Sequence, residues 1–111
     1  MERKPLPSDK HAALMLIRDI SEGLYAQTRF DDLEEIDETV EYRHQLIEQF
    51  FCDFRKTISE DDLAVFKRLQ QDDQVFLKNL EENKLHIASQ MAGNKKSKAR
   101  MRLYTKISRQ F

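Results

Sequence analysis

The chain contains few of the residues that interrupt helices. Among its 111 residues there are two glycines and two prolines, and tryptophan is absent. Both prolines, Pro5 and Pro7, stand near the start, whereas the glycines, Gly23 and Gly93, are far apart. This scarcity argues against β-hairpins and for a few long helices. The single cysteine excludes an intrachain disulfide and suits a reducing compartment.

Long apolar runs are also missing. The early segment AALMLI is followed at once by Arg18 and Asp19, so it is too short for a signal peptide. No window approaches the roughly 18 apolar residues that a membrane span needs. We therefore expect a cytoplasmic protein with one domain, residues 1–111, and a single modest core. Residues 1–7 are expected to form a flexible arm.

Capping patterns predict where the first two helices begin. Ser8 is the expected N-cap of the first helix, and Gly23 weakens that helix near its end. Asp31 stands three residues before Glu34, which is the spacing of a capping box. The second helix is predicted to run from there to about Lys56.

A third helix is predicted after the segment TISEDD. Ser59 is its expected cap, Asp62 stands at the capping-box position, and the apolar pattern continues to about Met91. The second and third helices would be ~40 and ~50 Å long, which suits an antiparallel hairpin. Gly93 and Asn94 tolerate left-handed backbone and are expected to end the third helix. The last segment, 95–111, is predicted to form a short fourth helix with Met101, Tyr104, Ile107 or Ser108, and Phe111 on one side.

The apolar stripe of the third helix is wider than a coiled-coil seam. Leu63 and Leu77 lie toward one edge, and Leu69 and Phe76 toward the other. A stripe of this width contacts neighbours on two sides. Helices one and two can cover one side, which leaves the short basic helix, a second copy or another partner for the other. The predicted fold is all-α: a long antiparallel hairpin, a packed N-terminal helix and a short basic C-terminal helix.

Polar residues interrupt the apolar repeat at two positions. Arg43 stands where the second helix expects an apolar residue, and Asp73 does so in the third. Polar residues in the apolar seam of a coiled coil destabilise it. These two residues therefore argue against the interpretation that the chain is a subunit of a long regular coiled coil.

The chain offers no convincing catalytic or metal-binding group. His11, His44 and His86 fall on different predicted helices, and the Glu41-x-x-His44 pair lacks the second such motif that a di-iron site needs. Cys52 stands among phenylalanines, which favours a small buried residue over a nucleophile. We expect no enzyme, no metal and no cofactor.

Positive charge is concentrated at the end of the chain. The segment from Gly93 to Phe111 has seven basic and no acidic side chains, and since the whole chain is formally at −1, the remainder carries −8. This basic segment could neutralise nucleic-acid phosphates, lie on a membrane surface, or dock on its own acidic body or on a partner. Its apolar residues and the acidic body favour the docking interpretation.

The pattern resembles the FliT-type flagellar type III export chaperones over roughly residues 9 to 108. The stretch RFDDLEEIDETVEYRHQLIEQF resembles the family's second helix, with Phe30 where tryptophan is more usual. Its other matching positions are Asp31, Leu33, Arg43, Leu46 and Ile47. The basic run KKSKARMRLY resembles the family's end, with Ala99 and Tyr104 in place.

The resemblance implies a small cytoplasmic protein of four helices that binds the C-terminal segment of the filament-cap protein FliD. It would keep FliD monomeric and deliver it to the export apparatus, with the FlhDC regulator and export ATPase components as further partners. The last helix would cover the partner groove and regulate binding. The expected groove residues are Phe66, Leu69, Phe76, Leu77, Leu80 and Ile87. The expected residues of the cover are Leu103, Tyr104, Ile107 and Phe111. The alternative is a small regulatory protein that contacts nucleic acid or a transcription complex through its basic helix.

Overall fold

A computed structural model describes residues 4–27, 33–88 and 94–110, and within these ranges every side chain except those of 81, 83–88 and 94–100. Its four helices are α1 (Lys10–Tyr25), α2 (Leu33–Asp53), α3 (Glu60–Ala88) and α4 (Asn94–Ser108). Every regular element in the described ranges is thus helical, and the predicted all-α fold is confirmed. None of the described helices combines the length and the apolar character that a membrane crossing requires.

The observed helix starts agree with the predicted caps in one case and differ in another. Ser59 and Asp62 form the predicted capping box: the Asp62 carboxylate accepts from the Ser59 amide at 2.9 Å, and the Ser59 hydroxyl accepts from the Asp62 amide at 3.2 Å. The prediction for α1 was wrong by one residue. Asp9, not Ser8, is the N-cap, since its carboxylate accepts from the Ala12 amide at 2.9 Å.

Two further boundaries concern α2 and α4. The predicted end of α2 at Lys56 was too late, because the helix stops at Asp53 and a turn follows in which the Thr57 amide donates to the Phe54 carbonyl at 2.9 Å. Asn94, predicted to help end the third helix, is instead the first residue of α4. The predicted cap at Asp31 and the predicted end of the third helix at Met91 lie outside the described residues.

Helices α2 and α3 run antiparallel on either side of the turn at Ile58. Two side-chain contacts between them show this: the rings of Phe50 and Phe66 near the turn, and the ion pair of Arg43 and Asp73 farther from it. The two residues of each contact stand at equal distances from Ile58. Helices α1 and α4 each pack against both α2 and α3. We call Arg43 and Asp73 the charged layer of the hairpin.

This charged layer separates two apolar clusters. The turn-end cluster is built from the first part of α1 and from the ends of α2 and α3 near the turn. Within it, the rings of Phe50 and Phe66 have centroids 5.2 Å apart. Leu6 is buried in this cluster, and the Tyr42 hydroxyl donates to the Lys4 carbonyl, so the chain before α1 contacts the helices at these two points. The open-end cluster contains Leu24 and residues of α2, α3 and α4.

Two apolar residues of the predicted core lie at the surface. Cys52 is exposed, so the expectation of a small buried residue was wrong. Phenylalanines on both sides of Cys52 in the sequence do not imply its burial, because Phe50 already occupies the face of α2 that points to the core at this end of the helix. Leu63, placed at one edge of the α3 stripe, is 50% exposed.

Candidate functional site

Helix α4 covers an apolar surface formed by α2 and α3. Its Leu103 and Ile107 are each 1% exposed, and four residues separate them, so both lie on one face of the helix. They join the open-end cluster together with residues from both hairpin helices. We call this covered surface the α4 seat; it consists of Ile36, Val40, Phe76, Leu77 and Leu80.

The buried face of α4 differs from the apolar side predicted for it. Met101 is 60% exposed and Tyr104 is 42% exposed, although both were placed on that side. Ile107 is buried, as expected for that side, but Leu103 and the polar Gln110 are buried in place of Met101 and Tyr104. Because α4 has few apolar residues, its sequence pattern does not distinguish between two faces of similar hydrophobicity.

The basic charge of α4 meets acidic side chains of α2. The Lys106 ammonium lies 2.8 Å from the Asp37 carboxylate and 3.2 Å from that of Glu41. The hydrogen bond to Asp37, with a smaller contribution from Glu41, raises the pKa of Lys106. An open groove of about 920 Å³ runs along this contact, with acidic residues of α2 on one wall and Arg102 and Arg109 on the other. These partly exposed pairs guide the orientation of α4 more than they stabilise it.

Beside the α4 seat lies the charged layer of the hairpin. The Arg43 guanidinium is bidentate to Asp73, with Nη1 2.9 Å from Oδ1 and Nη2 2.8 Å from Oδ2. The two side chains are 0% and 2% exposed. Burial by itself lowers the pKa of Arg43, but the hydrogen bonds and the charge of Asp73 outweigh it and the pKa is raised. Arg43 is therefore a buried cation whose charge is balanced by one buried carboxylate.

Helix α1 contributes two hydroxyl groups to the same layer. The Tyr25 hydroxyl donates to the Asp73 carboxylate and accepts from Arg43 Nη1 at 3.2 Å. Burial and the contact with Asp73 raise the pKa of Tyr25, so the phenol stays protonated at every physiological pH. The Ser21 hydroxyl accepts from Arg43 Nη1 at 3.2 Å and donates to the Ile17 carbonyl at 2.9 Å.

Gln110, just after α4, completes this arrangement. Its side-chain Oε1 accepts from Arg43 Nε at 2.8 Å and from Nη2 at 2.5 Å. Its Nε2 donates to the Val40 carbonyl at 2.8 Å. We call the five side chains the polar layer: Ser21, Tyr25, Arg43, Asp73 and Gln110. They come from all four helices or their ends. Arg43 therefore holds hydrogen bonds to α1, through Ser21 and Tyr25, and to the end of α4, through Gln110.

The expected groove residues are divided between the two clusters. Phe76, Leu77 and Leu80 belong to the α4 seat, whereas Phe66 and Leu69 lie in the turn-end cluster beneath α1. Ile87 lies in α3, but its side chain is outside the description. Phe111, expected in the cover, is outside the described residues.

The sequence contains a signal for part of the polar layer. Arg43 and Asp73 both interrupt an apolar repeat and stand at equal distances from Ile58, so an antiparallel hairpin brings them together. Gln110 has no such signal, because it lies beyond the last turn of α4 in a polar segment.

No metal-binding constellation is present among the described residues: none brings together three or more His, Cys, Asp or Glu side chains in suitable positions. His44 Nε2 lies 2.9 Å from the Glu48 carboxylate, and its Nδ1 is a buried atom without a hydrogen-bond partner. A single unsatisfied nitrogen on a partly exposed ring costs a little stability, and it does not form a metal site without further ligands.

Comparison of the chain with protein-family models found no match, and comparisons with curated proteins and with solved structures likewise found none. The resemblance to the FliT-type chaperones therefore stays a prediction from the sequence.

Proposed function

We propose that this protein is a non-enzymatic, cytoplasmic export chaperone of the FliT type. It binds the C-terminal helical segment of the filament-cap protein FliD in the α4 seat, prevents premature assembly and delivers FliD to the export apparatus. FlhDC and export ATPase components are further candidate partners. One observation carries the proposal: a basic helix at the end of the chain covers an apolar seat on a long helical hairpin. Helical partners bind in apolar grooves of this kind.

The contacts of α4 suit a cover that a partner can displace. Burial of Leu103 and Ile107 contributes roughly 3–6 kcal/mol together. The conformational entropy that α4 loses on docking opposes this gain. The Lys106 ion pairs are half-exposed and add little. A seat left uncovered would expose a contiguous apolar patch, so a weakly held intramolecular cover protects the free protein from aggregation.

Weakening the cover should strengthen partner binding. In the full chain, Leu103→Ala with Ile107→Ala removes the two apolar anchors of α4 and leaves the α4 seat intact. We expect binding of a FliD C-terminal peptide to tighten at least tenfold, because the peptide no longer competes with a docked helix. Deletion of residues 95–111 should act in the same direction. Titration calorimetry measures the affinities.

Met101→Ala with Tyr104→Ala is the matched control, since it truncates two exposed side chains of the same helix. This variant should bind the peptide as the parent does. Equal or weaker binding after loss of Leu103 and Ile107 would contradict the proposal, provided circular dichroism shows that the variant is helical.

A substitution within the α4 seat tests the same site from the other side. Leu80 is 1% exposed beneath α4, and Leu80→Asp places a charge on the apolar contact surface. We expect peptide binding to be lost while circular dichroism remains helical. Leu63→Asp, at a half-exposed position of the same helix, is the control that should leave binding unchanged.

A further inference from the structure

Gln110 satisfies two buried groups of the hairpin at once. Its amide oxygen accepts from Arg43 Nε and Nη2, and its amide nitrogen donates to the Val40 carbonyl. Gln110 is 6% exposed and Arg43 is 0% exposed. Water therefore has little access to this point while α4 is docked, so Arg43 Nε and Nη2 obtain this acceptor from the occupant of the α4 seat.

Any helix that replaces α4 meets the same two groups. A leucine at the position of Gln110 would leave Arg43 Nε and Nη2 without this acceptor inside an apolar contact. A glutamate could accept from Arg43, but it could not donate to the Val40 carbonyl and would bring a second carboxylate to the guanidinium that Asp73 already neutralises. An asparagine is one methylene shorter from the same backbone position. A glutamine fits both groups.

The apolar anchors fix where this glutamine must stand. Ile107 follows Leu103 by four residues on one face of α4, and Gln110 follows Ile107 by three in the turn that ends the helix, where its backbone amide donates to the Ile107 carbonyl at 3.2 Å. We propose that the α4 seat selects partner helices that carry two aliphatic residues four apart and that end in a turn with a glutamine three residues after the second. This inference rests on the proposed function, in which a partner helix replaces α4, and it specifies the chemistry of that partner.

Synthetic peptides with the chain's own α4 sequence, residues 94–111, test this selectivity. The protein is the full chain carrying Leu103→Ala and Ile107→Ala, whose seat is then open to a competitor. Four fluorescently labelled peptides are compared by anisotropy: the native sequence, Gln110→Leu, Gln110→Glu and, as the control, Ser108→Ala. Ser108 is exposed and does not line the groove against α2, so its replacement keeps the buried face and the charge of the peptide unchanged.

We expect the native and Ser108→Ala peptides to bind alike. The Gln110→Leu and Gln110→Glu peptides should bind about five- to 150-fold more weakly, which is the factor for leaving one buried polar group unsatisfied. When Arg43→Leu and Asp73→Leu are added to the protein, the preference should disappear and the Gln110→Leu peptide should bind at least as tightly as the native one.

Three other results would overturn the inference. Equal affinity of all four peptides would show that the seat does not select glutamine, and it would leave the proposed function intact. Absence of binding by every peptide, to a protein that circular dichroism shows to be folded, would contradict both. A dimer of the parent chain by light scattering, with α4 exchanged between copies, would make a second copy the occupant in place of a partner helix.

Discussion

The buried pair of Arg43 and Asp73 gives the most quantitative prediction. Their side chains are 0% and 2% exposed, and two guanidinium nitrogens of Arg43 lie 2.8 and 2.9 Å from the two carboxylate oxygens of Asp73. Replacing either residue alone by leucine leaves an uncompensated charge in the interior, which costs about 3–5 kcal/mol. A domain of this size has a free energy of unfolding of about 5–15 kcal/mol. Each single variant should therefore be severely destabilised.

Replacing both residues should cost much less than replacing one. Without either charge the desolvation penalty disappears, and leucine pairs in similar layers are often neutral or stabilising by about 1–4 kcal/mol. Against this, Tyr25, Ser21 and Gln110 each lose a hydrogen-bond partner at about 1 kcal/mol apiece. We expect the double variant to lie within about 2 kcal/mol of the parent and above either single variant.

Urea denaturation followed by circular dichroism measures these free energies in a double-mutant cycle. The control cycle uses Arg68 and Asp72, an exposed pair on α3 whose Nε and Oδ1 are 3.5 Å apart. We expect the coupling free energy of this pair to be below about 0.5 kcal/mol. If the Arg43 and Asp73 substitutions prove additive, or if the double variant is less stable than both singles, the pair is not a buried, mutually compensating layer.

Four further predictions concern separate parts of the chain. Gly23→Ala should stabilise α1 by roughly 0.5–1 kcal/mol. An added Cβ meets no atom within 4 Å, and no glycine in the described residues has a positive φ. An unchanged or lower free energy of unfolding in urea would contradict this. Cys52 should react with a maleimide in the folded protein, since its side chain is exposed, and protection that ends only on unfolding would refute that exposure. The hydrogen bond from the Ser59 amide, followed by that from Lys10, lowers the pKa of Asp62 below its ordinary value. The stability advantage of the parent over Asp62→Asn should therefore be present above the ordinary Asp pKa of about 3.9 and shrink as the pH falls further. A constant difference from about pH 2 to 7 would exclude this contribution. The chain should show no binding to duplex DNA that falls steeply with added salt, whereas a steep dependence would favour the regulatory alternative.

The architecture was predictable because each long helix carries redundant signals. For α3, the Ser59 and Asp62 cap, the scarcity of breakers and a repeated apolar spacing all indicate the same element. Agreement of local propensity, cap and pattern is what specifies a helix reliably. At α1 the adjacent Ser8 and Asp9 are both good caps, and the sequence offers no means of choosing between them.

The site was less predictable because it depends on the relative placement of the helices. Helix α4 is polar and short, so docking on the hairpin decides whether Leu103 or the pair of Met101 and Tyr104 is buried together with Ile107. Gln110 acquires its role only because the end of α4 arrives at Arg43. Likewise, Cys52 lies outside the core although its neighbour Phe51 packs against the turn-end cluster.

The central claim is that a partner helix replaces α4 on the hairpin. Hydrogen exchange across α4, measured in the full chain with and without a saturating FliD C-terminal peptide, tests it most directly. The account predicts that bound peptide raises the exchange of α4 amides while amides of α2 and α3 around Val40 and Leu80 become more protected. Peptide binding that leaves α4 as protected as before, or more so, would contradict the account.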